Sequence, residues 1–418
     1  MPPQPPKKGS GAVIVTLSLV AVAVLGIVGI IALVGLNVGD KNKPVPKAAP
    51  PPLTELPIKP GSAPAPAYGG VSAPNACTLV PVDFLLSRGW VLSREAQIFD
   101  RLPDPDAPTA QAVQQQPGGV VAGISGCAVP FDNRGNATLN IRSAPLDDAR
   151  ILASKADSAR DDSEVYRENG VEVLVDNDPE NNRDRPSGVY GYLVKGSMLA
   201  EFNLSSPDGT PRDRALDTAK QAISRITGAW DSASKSPSVA TYPQPYGNVP
   251  DPCKTISAED LTSLFGQPNS GMIEQREWTT SPVEVFKMDT GEQVEYVETR
   301  CSQGTLHPWG EPSRPFGSIG VNIQTYPDAA KAAGALRFFA DPKSEIGRSL
   351  GPAKPLNTTI GDSPAYISTA FGSDRAIMFQ VDRYLVAATA SEGYGPFNED
   401  ALRTRLTPVA RQMADSLR

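Results

Sequence analysis

The chain has 418 residues, a formal net charge of −7 and a single histidine. That length accommodates two or three domains, each with its own core. The acidic balance, without a Lys/Arg cluster, argues against a nucleic-acid surface, and one histidine with four cysteines leaves little for a His/Cys metal site.

Taken in chain order, residues 1–10 form a short tail carrying Lys7 and Lys8. Gly11 to Gly39 then run without a charge. A helix of roughly 28 residues would extend about 42 Å, more than the ~30 Å hydrocarbon core of a bilayer. Residues 11–39 therefore predict a transmembrane helix. The run is longer than a secretory h-region and lacks an A-x-A-like cleavage site, so an uncleaved anchor is expected. Lysines flank both ends and leave orientation open on charge alone. Four cysteines with no C-x-x-C pair fit two structural disulfides in an oxidising compartment, which places the bulk of the chain outside the membrane and the N-terminus inside.

Residues 40–70 are dense in proline, which favours extended polyproline II and a semi-rigid spacer able to reach on the order of 100 Å from the lipid. Beyond it the chain repeats. "TLNIRSAP" at 138–145 aligns with "GVNIQTYP" at 320–327, matching Asn140, Ile141 and Pro145 to Asn322, Ile323 and Pro327. Ala-rich helical stretches follow, "LDDARILASKADSAR" and "DAAKAAGALRFFADP". Further on, "YGYLVKGSMLAEFNL" and "IMFQVDRYLVAATA" each read as two antiparallel strands around a tight turn at "KG" or "DR". Ala215, Leu216 and Thr218 near the end of the first copy face Ala401, Leu402 and Thr404 in the second.

The cysteines obey the same register. Cys77 and Cys127 stand where Cys253 and Cys301 stand, which predicts the bridges Cys77–Cys127 and Cys253–Cys301. Ser257 and Asp260 predict a capped helix through Leu261, Leu264 and Phe265, ended by Gly266. A hairpin near Val283–Met288 and Val294–Thr299, turned at "DTGE", leads to Cys301. The expected architecture is α+β, a tandem repeat of two disulfide-stapled antiparallel-sheet-plus-helices modules at 71–230 and 249–418, joined by a flexible linker at 231–248.

The "DPC" entry before a capped helix and "LFG", the second cysteine about 50 residues on, and the strand, Ala-rich helix, hairpin and helix that follow resemble actinobacterial exported cell-envelope proteins. They are similar to the extracellular sensor domains of mycobacterial receptor kinases and to the PsbP-like α/β sandwich. The first module departs by having "NAC" in place of "DPC". The resemblance implies an envelope binding or sensing module and brings no catalytic residues with it.

No residues point to a cofactor, a metal site or a catalytic centre. His307 lies in a Pro/Gly-rich loop without a counterpart in the first module, and Asp147, Asp148, Asp161 and Asp162 sit near helix ends, where they favour the helix dipole. The same loop offers Trp309, Arg314 and Phe316 as a candidate binding lip, since exposed aromatic and arginine side chains dominate interaction hot spots. The N-x-S/T matches at Asn136, Asn203 and Asn357 occur by chance too often to use. The expected function is a membrane-anchored extracytoplasmic binding, sensor or accessory protein whose partner is an envelope lipid, a glycan or a membrane protein. The alternative is an envelope hydrolase working through carboxylates.

Overall fold

The computed structural model describes residues 53–62, 65, 72–93, 95–103, 123–132, 135–143, 157, 163–176, 188–242, 244–280, 284–288, 291–305, 317–369, 375–392 and 395–418. In the first half, β1 (Ile58–Pro60) precedes helices α1 (Ala76–Leu79) and α2 (Val82–Ser87). Strands β2 (Glu95–Pro103), β3 (Gly123–Pro130), β4 (Asn136–Ser143), β5 (Ser163–Glu168), β6 (Val171–Asp176), β7 (Gly188–Lys195) and β8 (Met198–Ser205) follow, and α3 (Arg212–Ala229) closes the half.

After β9 (Ser238–Ala240) and a 3₁₀ turn at Pro252–Thr255, the second half runs through α4 (Ala258–Phe265), β10 (Asn269–Thr280), β11 (Glu284–Lys287), β12 (Gln293–Thr305) and β13 (Gly317–Thr325). Helices α5 (Ala329–Ala340) and α6 (Glu345–Leu350) lead to β14 (Lys354–Ile360), β15 (Ser363–Ser368), β16 (Ala376–Val381), β17 (Tyr384–Glu392) and β18 (Gly395–Pro396). The chain ends in α7 (Glu399–Ala401), a π turn at Leu402–Leu406 and α8 (Thr407–Ser416).

The fold is α+β with antiparallel strands, and both expected disulfides are present: Cys77–Cys127 and Cys253–Cys301, closing separations of 50 and 48 residues. Each is prepared by the residue two positions before its first cysteine. Asn75 Oδ1 accepts the Cys77 N–H at 3.0 Å, and Asp251 Oδ1 accepts the Cys253 N–H at 3.0 Å. "NAC" and "DPC" therefore perform the same local task, a short side-chain oxygen turning the chain into the bridge.

The helix signals also hold. Ser257 caps α4 in a reciprocal box with Asp260, and Gly266 ends it with φ at 64°, a left-handed conformation that glycine adopts without a Cβ penalty. Asp328 caps α5. The first-half counterpart of α5, expected in 146–160, lies outside the described residues apart from Asp157. The tight turns are centred one residue later than "KG" suggests in the first half, on Gly196–Ser197, matching Asp382–Arg383 in the second; Asp382 takes the positive φ that Gly196 supplies in the first.

The strands build one sheet in the order β14-β15-β16-β17-β13-β12-β10-β2-β3-β4-β8-β7-β6-β5, with β11 and β18 paired at the side. The two halves thus follow the same strand order in mirror sequence and meet where β10 pairs antiparallel with β2. The registers match the sequence alignment. Leu139 stands between Cys127 and Phe202, and Val321 stands between Cys301 and Ala388.

Period-two patterning explains the layers. In β4, Ala137, Leu139 and Ile141 are buried, while Thr138 and Asn140 are half-buried. The first set joins the core of the first half, with Cys127, Ile98 and Phe202 and with Ala219, Ala222, Ile223 and Ile226 of α3. Those helical positions recur every three or four residues, as a helix lying on a sheet requires. On the same side of the second half, α4 and α8 cover Cys301, Val321 and Ile323. The opposite side of the second half carries α5, whose Ala335, Leu336 and Phe339 pack with Tyr296, Tyr326, Met378 and Leu385.

Two expectations are corrected. The end of the spacer is folded: Ile58, Lys59 and Pro60 pair with Ala240, Val239 and Ser238, Leu53 bridges to Leu92, and Leu53, Leu56 and Ile58 pack against the first core. Those apolar residues among the prolines supply the burial that composition alone concealed. The 231–248 segment is likewise not a flexible linker. It contributes β9, buries Tyr246 among Tyr296, Tyr326 and α5, and is held by Arg383, which donates to the Pro245 and Asn248 carbonyls at 2.8 and 2.9 Å. No helix among the described residues is long and apolar enough to cross a membrane; the apolar run at 11–39 lies outside them.

Candidate ligand-binding face

Helices α3, α4 and α8 lie on one side of the sheet; the other carries the half-buried Glu201, Asn140, Phe99 and Arg300. Reading across the strands, Glu201, Asn140, Gly126, Phe99, Arg276, Arg300, Asn322 and Ala387 are successive, directly opposed partners. Directly opposed positions of a ladder lie on the same face, and Arg276 enters here as a position in the register only. The row therefore runs in register over both halves, and Asn140 and Asn322, matched in the sequence repeat, occupy equivalent places on it.

The symmetry axis can be located from the registers. Ile98 faces Cys127 as Gln275 faces Cys301, so Ile98 and Gln275 are counterparts. Ile98 pairs with Glu277 and Gln275 pairs with Asp100, symmetric about Phe99 and Arg276. A local twofold axis thus passes between those two residues.

In the first half, Asn140 Oδ1 lies only 2.7 Å from the position a Cβ on Gly126 would take, and the Phe99 carbonyl oxygen lies 2.8 Å from it. Only glycine permits this approach. Beside Asn140, Arg142 pairs with Glu201 at 3.3 Å, while Arg142 Nε is buried without a partner. Next along the row, the Tyr190 hydroxyl donates to that of Tyr192 at 3.3 Å, with the rings edge to face at 5.6 Å. Burial, followed by that hydrogen bond, pushes the Tyr190 phenol well above its ordinary range.

In the second half, a hydrogen-bonded chain crosses β12 and β13. Arg300 Nε donates to Glu298 at 2.7 Å, Gln324 Nε2 donates to the other Glu298 oxygen at 3.3 Å, and the Tyr326 hydroxyl donates to Gln324 Oε1 at 2.7 Å. The Glu298 side chain is 6 % exposed and that of Arg300 is 40 % exposed. A buried carboxylate thus orients a half-exposed guanidinium, which offsets part of the cost of desolvating it. Between Arg300 and Ala387 sits Asn322. It is 6 % exposed, and both its amide nitrogen and its amide oxygen lack a hydrogen-bond partner. Buried carboxamides are nearly always satisfied, so this one marks a place where a partner is missing.

The sequence-nominated residues divide cleanly. The four cysteines pair as expected. Trp309, Arg314, Phe316 and His307, and the aspartates 147, 148, 161 and 162, lie outside the described residues. Among the described residues no group of three or more His, Cys, Asp or Glu side chains could hold a metal ion. A surface pocket of about 390 Å³ is lined by Gln244, Pro245, Gly247, Asn248, Asp382, Arg383 and Tyr384. Its arginine is committed to backbone carbonyls and serves to fasten the interhalf segment to the β16–β17 turn. The polar row was not nominated from sequence, although its signal was present: asparagine at the same place in both copies of a strand otherwise built for burial. No family model matches the chain, and the searches of curated proteins and solved structures likewise found no match.

Proposed function

We propose that the protein is a membrane-anchored extracytoplasmic binding or sensor protein of the bacterial cell envelope, with a single N-terminal span at 11–39 and the stapled sheet held outside. The observation that carries this reading is the row of directly opposed residues that crosses both halves in register, in which Glu201, Asn140 and Arg300 are half-buried and Asn322 is a buried carboxamide without a hydrogen-bond partner. The two disulfides support an oxidising location. The repeated strand order supports a tandem duplication, and the sequence resemblance to envelope proteins and the PsbP-like sandwich supports the setting. In this reading the partner is an envelope lipid, a glycan or a membrane protein, and the protein presents a surface to it without transforming it.

The joined sheet alters how two copies of a module work together. Modules on a flexible tether would act by raising each other's local concentration. Modules sharing a sheet act as one preformed surface, which avoids ordering costs on binding. The test has two parts. Protease added to intact, wall-stripped cells digests the chain beyond residue 40, and the purified chain is retained by isolated envelope material. Full protection, a mature N-terminus beginning after Val38, or absence of retention contradicts the proposal.

A further inference from the structure

We infer that Arg88 and Arg225 form a site for a phosphate group, at the junction of α2 and α3 on the helix-covered side of the sheet. The site is separate from the polar row and does not depend on it.

Two guanidiniums converge on one ring. The Arg88 Cζ lies 5.1 Å from the centroid of the Phe84 ring and the Arg225 Cζ lies 4.6 Å from it, so the two cations are no farther apart than those distances together. Phe84 is buried in the first core, while both arginines are exposed. A ring face attracts a cation, but two cations at the same ring repel each other. Covering the ring does not require the second charge.

A helix commonly supplies a counter-charge from three or four residues away. Here those places hold Phe84 and Leu85 for Arg88, and Gln221, Ala222, Gly228 and Ala229 for Arg225. Among the described residues the Arg225 guanidinium has no hydrogen-bond or ion-pair partner, and the Arg88 guanidinium donates only to the Gln221 side-chain oxygen. Gln221 is fixed in turn by Asp217 Oδ2, to which its amide nitrogen donates at 2.9 Å. The Arg88 fork is thereby oriented without a carboxylate against it.

The second half commits its arginines at the same helices. Arg411, which stands to Arg225 as Ala401 stands to Ala215, donates to Thr358 Oγ1 at 2.9 Å. Arg405, whose Cζ lies 4.5 Å from the centroid of the Phe397 ring, pairs with Glu392 at 3.0 Å. Only the first half leaves a pair of guanidiniums beside one ring for an anion from outside. A carboxylate is filled by one guanidinium fork, whereas a tetrahedral phosphate has oxygens for two forks arriving from different directions. Soluble phosphate esters and phospholipid headgroups both carry that group.

The test titrates the full-length chain, in a nonionic detergent, with inorganic phosphate, glycerol 3-phosphate and acetate, and with mixed micelles containing phosphatidylglycerol. Phosphate and its ester are expected to bind, less tightly as salt is added, and acetate more weakly. Tighter binding of the micelles than of the free ester assigns the phosphate to a lipid headgroup; tighter binding of the free ester assigns it to a soluble ligand. Arg88→Gln and Arg225→Gln are each expected to weaken binding roughly tenfold at an unchanged thermal midpoint, and Arg411→Gln to leave it unaltered. Should Arg225→Gln lower the midpoint, Arg225→Lys makes the same test, since it keeps the charge and removes the fork. No binding of phosphate, ester or micelle, acetate bound as tightly as phosphate, or binding unchanged in both Arg88 and Arg225 variants overturns the inference and leaves the arginines as a cover for Phe84. Such a failure does not touch the reading of the polar row, which lies on the other side of the sheet and is tested by envelope retention.

Discussion

Phe99 of β2 stands directly opposite Arg276 of β10, at the point on the junction where a residue faces its own counterpart from the other half. An edge strand with unpaired N–H and C=O groups is a liability in water, and here each half covers the other's edge. The junction is therefore part of the fold rather than a contact between independent domains.

Replacing Arg276 by proline tests this directly. β10 pairs with β2 on one side and β12 on the other, so proline there removes a ladder donor inside the sheet. The expected cost is on the order of 1–3 kcal/mol for the unmade bond. Calorimetry should show a single transition in the unmodified chain and two in Arg276→Pro.

Nonreducing peptide mapping should join the Cys77 and Cys127 peptides and the Cys253 and Cys301 peptides. Loops of 50 and 48 residues give each bridge about 4 kcal/mol in the chain-entropy account. Replacing Cys253 and Cys301 together by serine is expected to cost roughly 2–5 kcal/mol in denaturant titration. A Cys77–Cys253 link contradicts the repeat.

At the entry to α4, Ser257 accepts from the Asp260 N–H at 3.3 Å and Asp260 accepts from the Ser257 N–H at 2.7 Å. Ser257→Ala should lower stability by about 1 kcal/mol. Ser257→Gly should lose only a few tenths, and equal losses from the two would show that the hydroxyl cap carries little.

Alkaline stability should report the interhalf segment. Burial, helped by Glu295, pushes the Tyr246 phenol up to about 12 from an unfolded value near 10. Its raised folded pKa leaves stability intact below pH 10 and removes it progressively between pH 10 and 12, as the unfolded phenol ionises first. Tyr246→Phe should flatten the fall over that window in thermal melts, and an unchanged slope would contradict the assignment.

What could be read from sequence was mainly local. The α4 box, the Asp328 cap of α5 and the β16–β17 turn each depend on residues within a few positions, and the bridges followed from cysteines spaced alike in two copies. The β2–β10 pairing depends on two strands far apart in sequence, and nothing local to either names the partner. β14, β15 and the turn between them contain Pro355, Pro364, Asn357 and Gly361, residue types that ordinarily mark turns rather than strands. Pro355 is tolerated because β14 is an edge, and Asn357 and Gly361 adopt positive φ at 60° and 65°. The polar row escaped because alternation shows which residues leave the core without showing that they align across many strands.

Hydrogen exchange at the junction is the most direct measurement. Followed amide by amide in the full chain, residues 97–101 and 273–278 should exchange as slowly as the core strands β4 and β13, because they are paired on both sides. Exchange there at the rate of an open edge, with β4 and β13 still protected, would mean that the halves are separate bodies and that no continuous face joins Asn140 to Asn322.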